Sequence, residues 1–365
     1  MAWSDEGKVF PPYAYTDSTV FAKDSELLLS EWFAVGRTTD YSPGAYQTVE
    51  LVGQPIIVWC GDDGEIRAFE NVCRHRMSIL AQDSGECQYL TCPFHGWTYE
   101  SSGQLRSAPK VDKNLLQGIQ LPEFQVEIWL GFVFVNCDRN AESLASKLKG
   151  VEKLVNPHEI DSFTFSFMQT SERVVNANWK LMMEIGLESY HFPFVHRETL
   201  APRLTGTSDS PAGNGAWTVS TEPRKQPLAP RDDDPSALTD HERNTTYTFG
   251  LLPNTVFNID VDNIVWFSVL PIAPELSSVI YGVAARNEHC VRPLGGTEIV
   301  GVDEYQAWGD RLGAEDNAMC ERVQKGLRGK HAEPGMLIRD AENCLYEMQR
   351  YLESHIPNYP ESTRS

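Results

Sequence analysis

The sequence lacks the features that would carry it into or across a membrane. No run reaches the roughly 18 apolar residues that a membrane-spanning helix needs, and the first residues, MAWSDEGKVFPPYAYTD, contain neither the basic stretch nor the apolar core of an export signal. Basic residues are also scarce, since 31 Lys and Arg stand against 51 Asp and Glu and give a net charge of -20. We therefore expect a cytoplasmic protein. We do not expect it to bind nucleic acid by neutralising the phosphates of the nucleic acid backbone.

Common cofactor motifs are missing as well. No G-x-G-x-x-G follows a strand to bind a flavin or a nicotinamide, and no C-x4-C-x2-C run of a plant-type ferredoxin is present. Eight cysteines in 365 residues without an export signal are a poor disulfide framework. They are therefore predicted to be buried thiols or metal ligands.

The distribution of strand and helix patterns predicts two α+β or β-rich domains. Short β-rich runs separated by glycine turns (YQTVELV, PIIVWC, IRAFE and EIWLGFVFV) indicate a small antiparallel β domain over residues 31–145. An N-terminal arm and helix, residues 1–30, precede it. Residues 146–365 combine strands with helices and end in two amphipathic helices, which predicts a larger domain with an antiparallel sheet flanked by helices.

Two short motifs in the first domain alternate cysteine with histidine. CRHRM supplies Cys73 and His75, and CPFHGW supplies Cys92 and His95, followed by Gly96, which allows a tight loop. A zinc site could use the same four side chains, although zinc motifs usually pair like with like. A Rieske [2Fe-2S] cluster requires this alternation, because one iron takes both thiolates and the other takes both imidazoles.

The stretch ESYHFPFVH, residues 188–196, holds a second candidate site. His191 and His196 could be core histidines or two metal ligands that lack a third. On an ideal helix, five residues correspond to a rotation of about 500 degrees, so the two rings would diverge. Pro193 can bend or end the helix between them and bring the rings together. Glu188, one helical turn before His191, can bond the second nitrogen of that ring and fix its tautomer.

Together the two sites resemble the Rieske non-haem iron oxygenases, specifically their catalytic α subunit, over nearly the whole chain. The residues that carry this resemblance, besides the cysteine-histidine motifs, are Trp32, Gly36, Asn178, Trp179, Lys180, Glu184, Glu188, Tyr190, His191 and His196. The resemblance implies a helix-grip (START-like) catalytic domain. It also implies a [2Fe-2S] cluster on Cys73, His75, Cys92 and His95.

The resemblance further implies a mononuclear Fe(II) that uses O2 as co-substrate and is held by His191, His196 and a distant acid. The segment GAEDNAMCERVQKGLRG nominates Asp316, and we interpret the neighbouring Glu315 and Glu321 as solvated charges. In the family, the residue at Glu188 bridges the iron histidine to a Rieske histidine of a neighbouring subunit, by position His95, which implies a homotrimer. Two departures stand out: Ile185 replaces an Asn of many relatives, and Met77 replaces a Gly.

The resemblance leaves the substrate open. We expect hydroxylation or oxidative demethylation of a small organic molecule, aromatic or cyclic, with electrons from an NAD(P)H-dependent reductase, with or without a ferredoxin. One alternative is a monooxygenase of choline-, betaine- or carnitine-like quaternary ammonium compounds, and a distant one is a non-catalytic Rieske electron carrier. Residues predicted to line the pocket, about half of which should be plain core, are Phe192, Phe249, Leu252, Asn254, Phe257, Ile259 and Trp266.

Overall fold

A computed structural model describes residues 7, 9–210, 213–232, 234–289 and 291–360, with the side chains of 168–173 and 339–340 left out. The chain divides into two compact units, Leu29–Glu142 on the one hand and Met1–Leu28 with Ser143–Ser365 on the other. The boundaries predicted at 31 and 145 lie near these limits, but the N-terminal segment groups with the second unit instead of standing apart. Within the described ranges, no helix combines the length and the hydrophobicity that crossing a bilayer requires.

The Leu29–Glu142 unit is built from antiparallel strands. Three of the four predicted β runs each correspond to one strand, whereas EIWLGFVFV covers parts of two strands joined by a turn at Leu130 and Gly131. A seven-stranded sheet has the order β1-β10-β9-β4-β3-β2-β5, and a three-stranded sheet has the order β6-β7-β8. The strands are β1 Phe33–Arg37, β2 Ala45–Leu51, β3 Gln54–Cys60, β4 Ile66–Glu70, β5 Ser84–Glu86, β6 Tyr89–Thr91, β7 Thr98–Glu100, β8 Leu105–Ser107, β9 Glu123–Trp129 and β10 Phe132–Asn136.

The core of this unit reaches directly to the two cysteine motifs. Cys73 and Cys92 belong to one buried hydrophobic cluster with Trp59, Phe69 and Tyr99. Because the strands that carry these aromatic residues fix the bases of the two loops, the loops project from a rigid support.

The second unit contains a six-stranded antiparallel sheet with the order β11-β16-β15-β14-β13-β12. Its strands are β11 Phe165–Val175, β12 Trp217–Pro223, β13 Thr245–Leu251, β14 Thr255–Ile259, β15 Asn263–Ala273 and β16 Leu276–Ala285. Its helices are α1 Ser18–Leu28, α2 Leu144–Lys147, α3 Glu152–Val155, α4 Trp179–Gly186, α5 Phe192–Val195, α6 Asp240–Arg243, α7 Val302–Leu327 and α8 Arg339–His355. Helices α4 and α7 pack against each other, and α4 also packs on the sheet. The predicted α+β class is confirmed.

The N-terminal segment and the C-terminal tail hold α4 in place. Asp24 of α1 is fully buried and accepts hydrogen bonds from the Lys180 ammonium, the Trp179 indole N–H (3.0 Å) and the Tyr359 hydroxyl (2.6 Å). The N-cap of α4 is Asn178, whose side chain accepts from the N–H of Lys180 (2.9 Å). The Asn-Trp-Lys motif therefore anchors the start of the helix that leads to the candidate iron ligands.

Candidate active site

The two cysteine-histidine loops share one backbone pattern. In the first loop the N–H of Met77 donates to the carbonyl of Cys73 (3.0 Å), and in the second the N–H of Gly96 donates to the carbonyl of Cys92 (3.0 Å). Met77 has φ 58 and Gly96 has φ 72, so both occupy the left-handed region. The residue that departs from the family, Met77, therefore stands where the backbone favours glycine.

The four predicted cluster residues divide into an inner and an outer pair. Cys73 and Cys92 are buried, at 1% and 2% exposure, while His75 and His95 are exposed and their ring centroids lie 4.7 Å apart. The hydroxyl of Tyr99, which the sequence did not single out, lies 3.3 Å from the Cys73 sulfur. The loops thus bring two thiols and two imidazoles together with the thiols on the protein side.

The environment of Cys92 suits a thiolate ligand. Burial alone would raise the pKa of this thiol, but the backbone N–H groups of Phe94 and His95 and the side chains of Cys73 and Ser78 together bring it below its ordinary value. A metal-bound sulfur is deprotonated and accepts such N–H donors. The donor set therefore fits the iron-sulfur cluster that alternating cysteine and histidine ligands imply.

Three side chains in the second unit converge on one point. The Nε2 atoms of His191 and His196 lie 3.0 Å apart, and Oδ1 of Asp316 lies 3.5 Å and 2.9 Å from them, respectively. Three ligands placed at right angles about 2.1 Å from one ion would be about 3.0 Å apart. Asp316 Oδ1 is also buried, and the polar groups that face it are the two imidazoles. This geometry fits a two-histidine, one-carboxylate site with open positions for other ligands.

The other nitrogen of each imidazole contacts a glutamate. His191 Nδ1 lies 2.5 Å from Glu188, and His196 Nδ1 lies 2.7 Å from Glu315, which also accepts the Thr199 hydroxyl at 2.6 Å. Each glutamate therefore fixes the tautomer that leaves Nε2 free for a metal. The interpretation of Glu315 as a solvated charge is wrong, because its carboxylate contacts a candidate ligand.

Glu321 is not merely solvated either, because it accepts hydrogen bonds from the backbone (3.2 Å) and side-chain (2.8 Å) N–H groups of Asn176.

Contrary to the prediction from the sequence, Pro193 neither bends nor ends a helix between the two histidines. Helix α4 ends at Gly186, and α5 begins at Phe192, so Glu188 lies in the turn between them. His191 is the N-cap of α5 and His196 is its C-cap, with Pro193 in the first turn, where its missing N–H has no helical partner to lose. Proline thus helps to start a new helix, and the two histidines flank its single turn.

The electrostatics at this point reflect an excess of carboxylates. Burial would lower the pKa of His191, but hydrogen bonds to Asp316 and Glu188 raise it to about 9. Burial would raise the pKa of Asp316, but hydrogen bonds to His191 and His196 bring it below its ordinary value. Three carboxylates around two imidazoles leave surplus negative charge when the imidazoles are neutral, which a metal cation would offset.

A cavity opens beside these three residues, between the sheet and helices α4, α5 and α7. The space free of protein atoms in it is about 790 Å³, part of which is open to solvent. Mostly apolar side chains line it, including Met182, Ile185, Leu200, Val265 and Leu294. Ile185, the other departure from the family, is therefore a wall residue.

Most of the predicted pocket wall is on the wrong side of the sheet. Phe192 does line the cavity, but the sheet contributes Asn258, Val265, Phe267, Val279 and Tyr281. Alternate residues of a strand face opposite sides, so Phe257 and its partner Trp266 point away from Asn258 and its partner Val265. The predicted residues absent from the described lining, all at 0–1% exposure, are core residues: Phe249, Leu252, Asn254, Phe257, Ile259 and Trp266.

A cysteine-histidine pair of loops on a small β domain, joined to a histidine-carboxylate triad beneath an apolar cavity, defines a Rieske non-haem iron oxygenase. Residues 31–125 match the family model described as Rieske [2Fe-2S] domain, and residues 155–358 match the one described as ring hydroxylating alpha subunit, catalytic domain. The chain belongs to this family of oxygenase α subunits and is an oxidoreductase.

The chain is similar to several quaternary ammonium oxygenases. The oxygenase subunit of carnitine monooxygenase from Acinetobacter baumannii is 26% identical over 348 residues, covering 90% of this chain and 86% of that protein. The oxygenase subunit of glycine betaine monooxygenase from Chromohalobacter salexigens is 37% identical over 195 residues, covering 52% of this chain and 43% of that protein. The solved structure of a quaternary ammonium Rieske monooxygenase has a TM-score of 0.81, with 23% identity and 97% coverage of each chain.

Proposed function

We propose that this chain is the oxygenase subunit of a monooxygenase that acts on a small quaternary ammonium compound. The cavity beside His191, His196 and Asp316 carries the proposal. Three aromatic side chains line it, those of Phe192, Phe267 and Tyr281. Aromatic faces favour an alkylated ammonium group.

The chain's own residues supply positioning, shielding and control of protonation. His191, His196 and Asp316 would hold the mononuclear iron, which when bound supplies the site for O2 activation. Glu188 and Glu315 keep the protons of the two imidazoles on Nδ1, away from the metal side. The aliphatic wall of Met182, Leu200 and Leu294 excludes water from the bound methyl groups. Oxidation of an N-methyl carbon would thus take place in a mostly apolar space.

Electrons would reach this site from outside the chain. A separate NAD(P)H-dependent reductase, with or without a ferredoxin, is the proposed donor to a cluster held by Cys73, His75, Cys92 and His95. Two of these residues, His75 and His95, are exposed, as a cluster that exchanges electrons with a partner requires. Met77 (83%) and Phe94 (54%), in the same two loops, also expose their apolar side chains.

We further propose a homotrimer in which each cluster serves the iron of a neighbouring copy, with Glu188 of the iron-holding copy as the bridge between the two centres. Glu188 contacts His191, whose side chain is 13% exposed, whereas that of His196 is 1% exposed. Tyr190 and Phe194, next to this pair in the chain, are 47% and 67% exposed. Exposed aromatic residues on both surfaces support a contact between unlike faces of two copies, which generates a ring when it closes.

A neutral aromatic or cyclic substrate, the first expectation from the sequence, is the second candidate. The apolar side chains that dominate the cavity support it as well. The comparisons favour the quaternary ammonium class, because the relatives described above oxidise carnitine and glycine betaine.

The test is a substrate screen with a surrogate reductase, in which NADH and O2 consumption are measured together with formaldehyde release. Substrate-dependent, coupled consumption with a trimethylammonium compound, and none with its tert-butyl isostere, is expected. Equal and uncoupled consumption with every compound would reject both substrate classes.

Iron analysis tests the metal assignments and the non-catalytic electron-carrier alternative. Close to three irons per chain, falling to two in His191→Ala, is expected, because the cluster holds two and the triad one. Two irons in both proteins would contradict the mononuclear site. Glu188→Gln should retain all three irons and slow reoxidation of the reduced cluster; unchanged single-turnover kinetics would remove the bridging role.

A further inference from the structure

Two helical glycines lie directly against aromatic rings of the cavity wall. Gly186 is the last residue of α4, Gly309 lies in the second turn of α7, and both line the cavity. A Cβ built on Gly186 would be 2.4 Å from Cζ of Phe267, and one built on Gly309 would be 2.9 Å from the hydroxyl oxygen of Tyr281. Such distances are shorter than real Cβ contacts, so the rings occupy the space that a side chain at either position would fill.

The backbone does not require glycine at these positions. Neither Gly186 nor Gly309 has a positive φ, so an alanine could adopt both conformations. Glycine also weakens a helix relative to alanine. The absence of a side chain is therefore best explained by the space that it leaves for Phe267 and Tyr281.

The two rings face the helices as a pair. Phe267 on β15 and Tyr281 on β16 are direct partners in the antiparallel ladder, so their side chains project from the same face of the sheet. Both line the cavity. The tip of the Phe267 ring lies against the backbone of α4, and the tip of the Tyr281 ring lies against the backbone of α7. At the cavity wall, the two rings therefore reach from the sheet to the helices.

We propose that Gly186 and Gly309 are specificity-determining residues that set the width of the cavity. By letting the two rings lie against the helix backbones, they keep the rings out of the space next to the triad. An added methyl group would force a ring toward the open side, which is the cavity. This inference rests on the proposed function only in taking the cavity as the substrate site. It predicts an upper limit on the size of the alkyl groups that can reach His191, His196 and Asp316.

The experiment compares Gly186→Ala and Gly309→Ala with Gly326→Ala. Gly326 lies on α7, and a Cβ there would meet nothing within 4 Å, so its variant controls for the helix effect of alanine. We measure kcat/KM for tetramethylammonium, ethyltrimethylammonium and tetraethylammonium. In the two test variants, the ratio of kcat/KM for a larger ion to kcat/KM for a smaller one should fall about tenfold or more for each added methylene. In Gly326→Ala this ratio should stay unchanged. The double variant Gly186→Ala, Phe267→Leu should restore kcat/KM for the larger ions.

Equilibrium binding and structure separate this inference from the proposed function. Binding to the iron-loaded proteins is measured by calorimetric titration with the same ions and with neutral tertiary alcohols whose alkyl groups match those of the ions. If only the alcohols bind, with the same size limit, the ammonium proposal fails and the size inference stands. If the ions bind and every variant ranks them alike, the size inference fails. A crystal structure of Gly186→Ala gives an independent result, since an unmoved Phe267 ring would also overturn it.

Discussion

Replacing Asp24 with Asn is predicted to loosen helix α4, which precedes the candidate iron ligands. The Asp24 carboxylate is fully buried beside Lys180, whose side chain is also 0% exposed. It also accepts the Trp179 indole N–H and the Tyr359 hydroxyl. An asparagine in its place leaves a buried ammonium without its counter-ion, and Glu184 is the other acid that attracts that charge.

The magnitude follows from the burial of both partners. Removing one member of a buried ion pair costs about 3–5 kcal/mol, because the remaining charge stays desolvated. Because Glu184 still attracts the ammonium, the loss in free energy of unfolding for Asp24→Asn should be near the lower end of this range, at about 3 kcal/mol. This loss corresponds to a fall in Tm of about 6–12 °C for a unit of this size. The matched control is Glu100→Gln, which breaks the exposed pair with Arg106 (3.2 Å) and should cost less than about 1 kcal/mol.

Amide hydrogen exchange measures the effect where it should occur. Peptides that cover α4 should lose protection equivalent to about 3 kcal/mol, while peptides from strands β1 to β4 of the other unit should keep theirs. Adding Lys180→Met to Asp24→Asn should recover most of the loss, since no buried charge then remains. A loss below about 1 kcal/mol in Asp24→Asn, or the same loss in Glu100→Gln, would refute the reasoning.

Three further predictions follow from single contacts. Glu315→Ala removes the acceptor of His196 Nδ1 and should weaken iron binding about 10–100-fold; iron retention against a graded chelator measures this, and unchanged retention would contradict it. Tyr99→Phe removes the hydroxyl 3.3 Å from the Cys73 sulfur and should lower the cluster's reduction potential in spectroelectrochemical titration, whereas an unshifted potential would show that the hydroxyl does not act on it. His158 is buried without a hydrogen-bond partner in the described chain, and burial lowers its pKa to about 4. His158 stays neutral in the folded protein, but below about pH 6.5 it gains a proton on unfolding. The free energy of unfolding is therefore unaffected by His158 above that pH and is lower by about 2 kcal/mol at pH 5. His158→Leu should flatten this part of the pH profile in denaturant titrations, and an unaltered profile would exclude His158 as its source.

The meeting of the four predicted cluster ligands could be anticipated, because each pair of them lies within one short segment. Cys73 with His75, and Cys92 with His95, need only a tight loop to come together, and the loop geometry is set by the motifs themselves. Strand positions were predictable for a similar reason, since β-branched and aromatic runs between glycine turns act locally.

The wall of the cavity could not be predicted in the same way. The sequence predicts strands within residues 146–365, but not which of their faces meets the helices. Phe257 and Trp266 on one face and Val265 on the other are all buried, so the alternation of apolar and polar residues that normally reveals a sheet's inner face is weak here. Only the packing of α4 and α7 against the sheet decides the question.

The contact of Glu315 with His196 depends on long-range packing for the same reason. The two residues are 119 positions apart, and a helix places adjacent residues on different faces, so choosing Asp316 as a ligand gave no role to its neighbour. The observation that each imidazole ligand usually has a hydrogen-bond partner for its other nitrogen could have suggested searching for a second acid once Glu188 was assigned to His191.

Met77 shows why a departure from a local motif can be informative. It shares its backbone conformation with Gly96 in the matching loop, and a residue other than glycine in the left-handed region costs about 1 kcal/mol. Its side chain is 83% exposed, so little packing within the chain offsets that cost. An exposed residue in such a conformation is a candidate for a function at that surface. The large apolar side chain beside His75 is therefore better explained by the partner contact proposed for the cluster loops than by the folding of the unit.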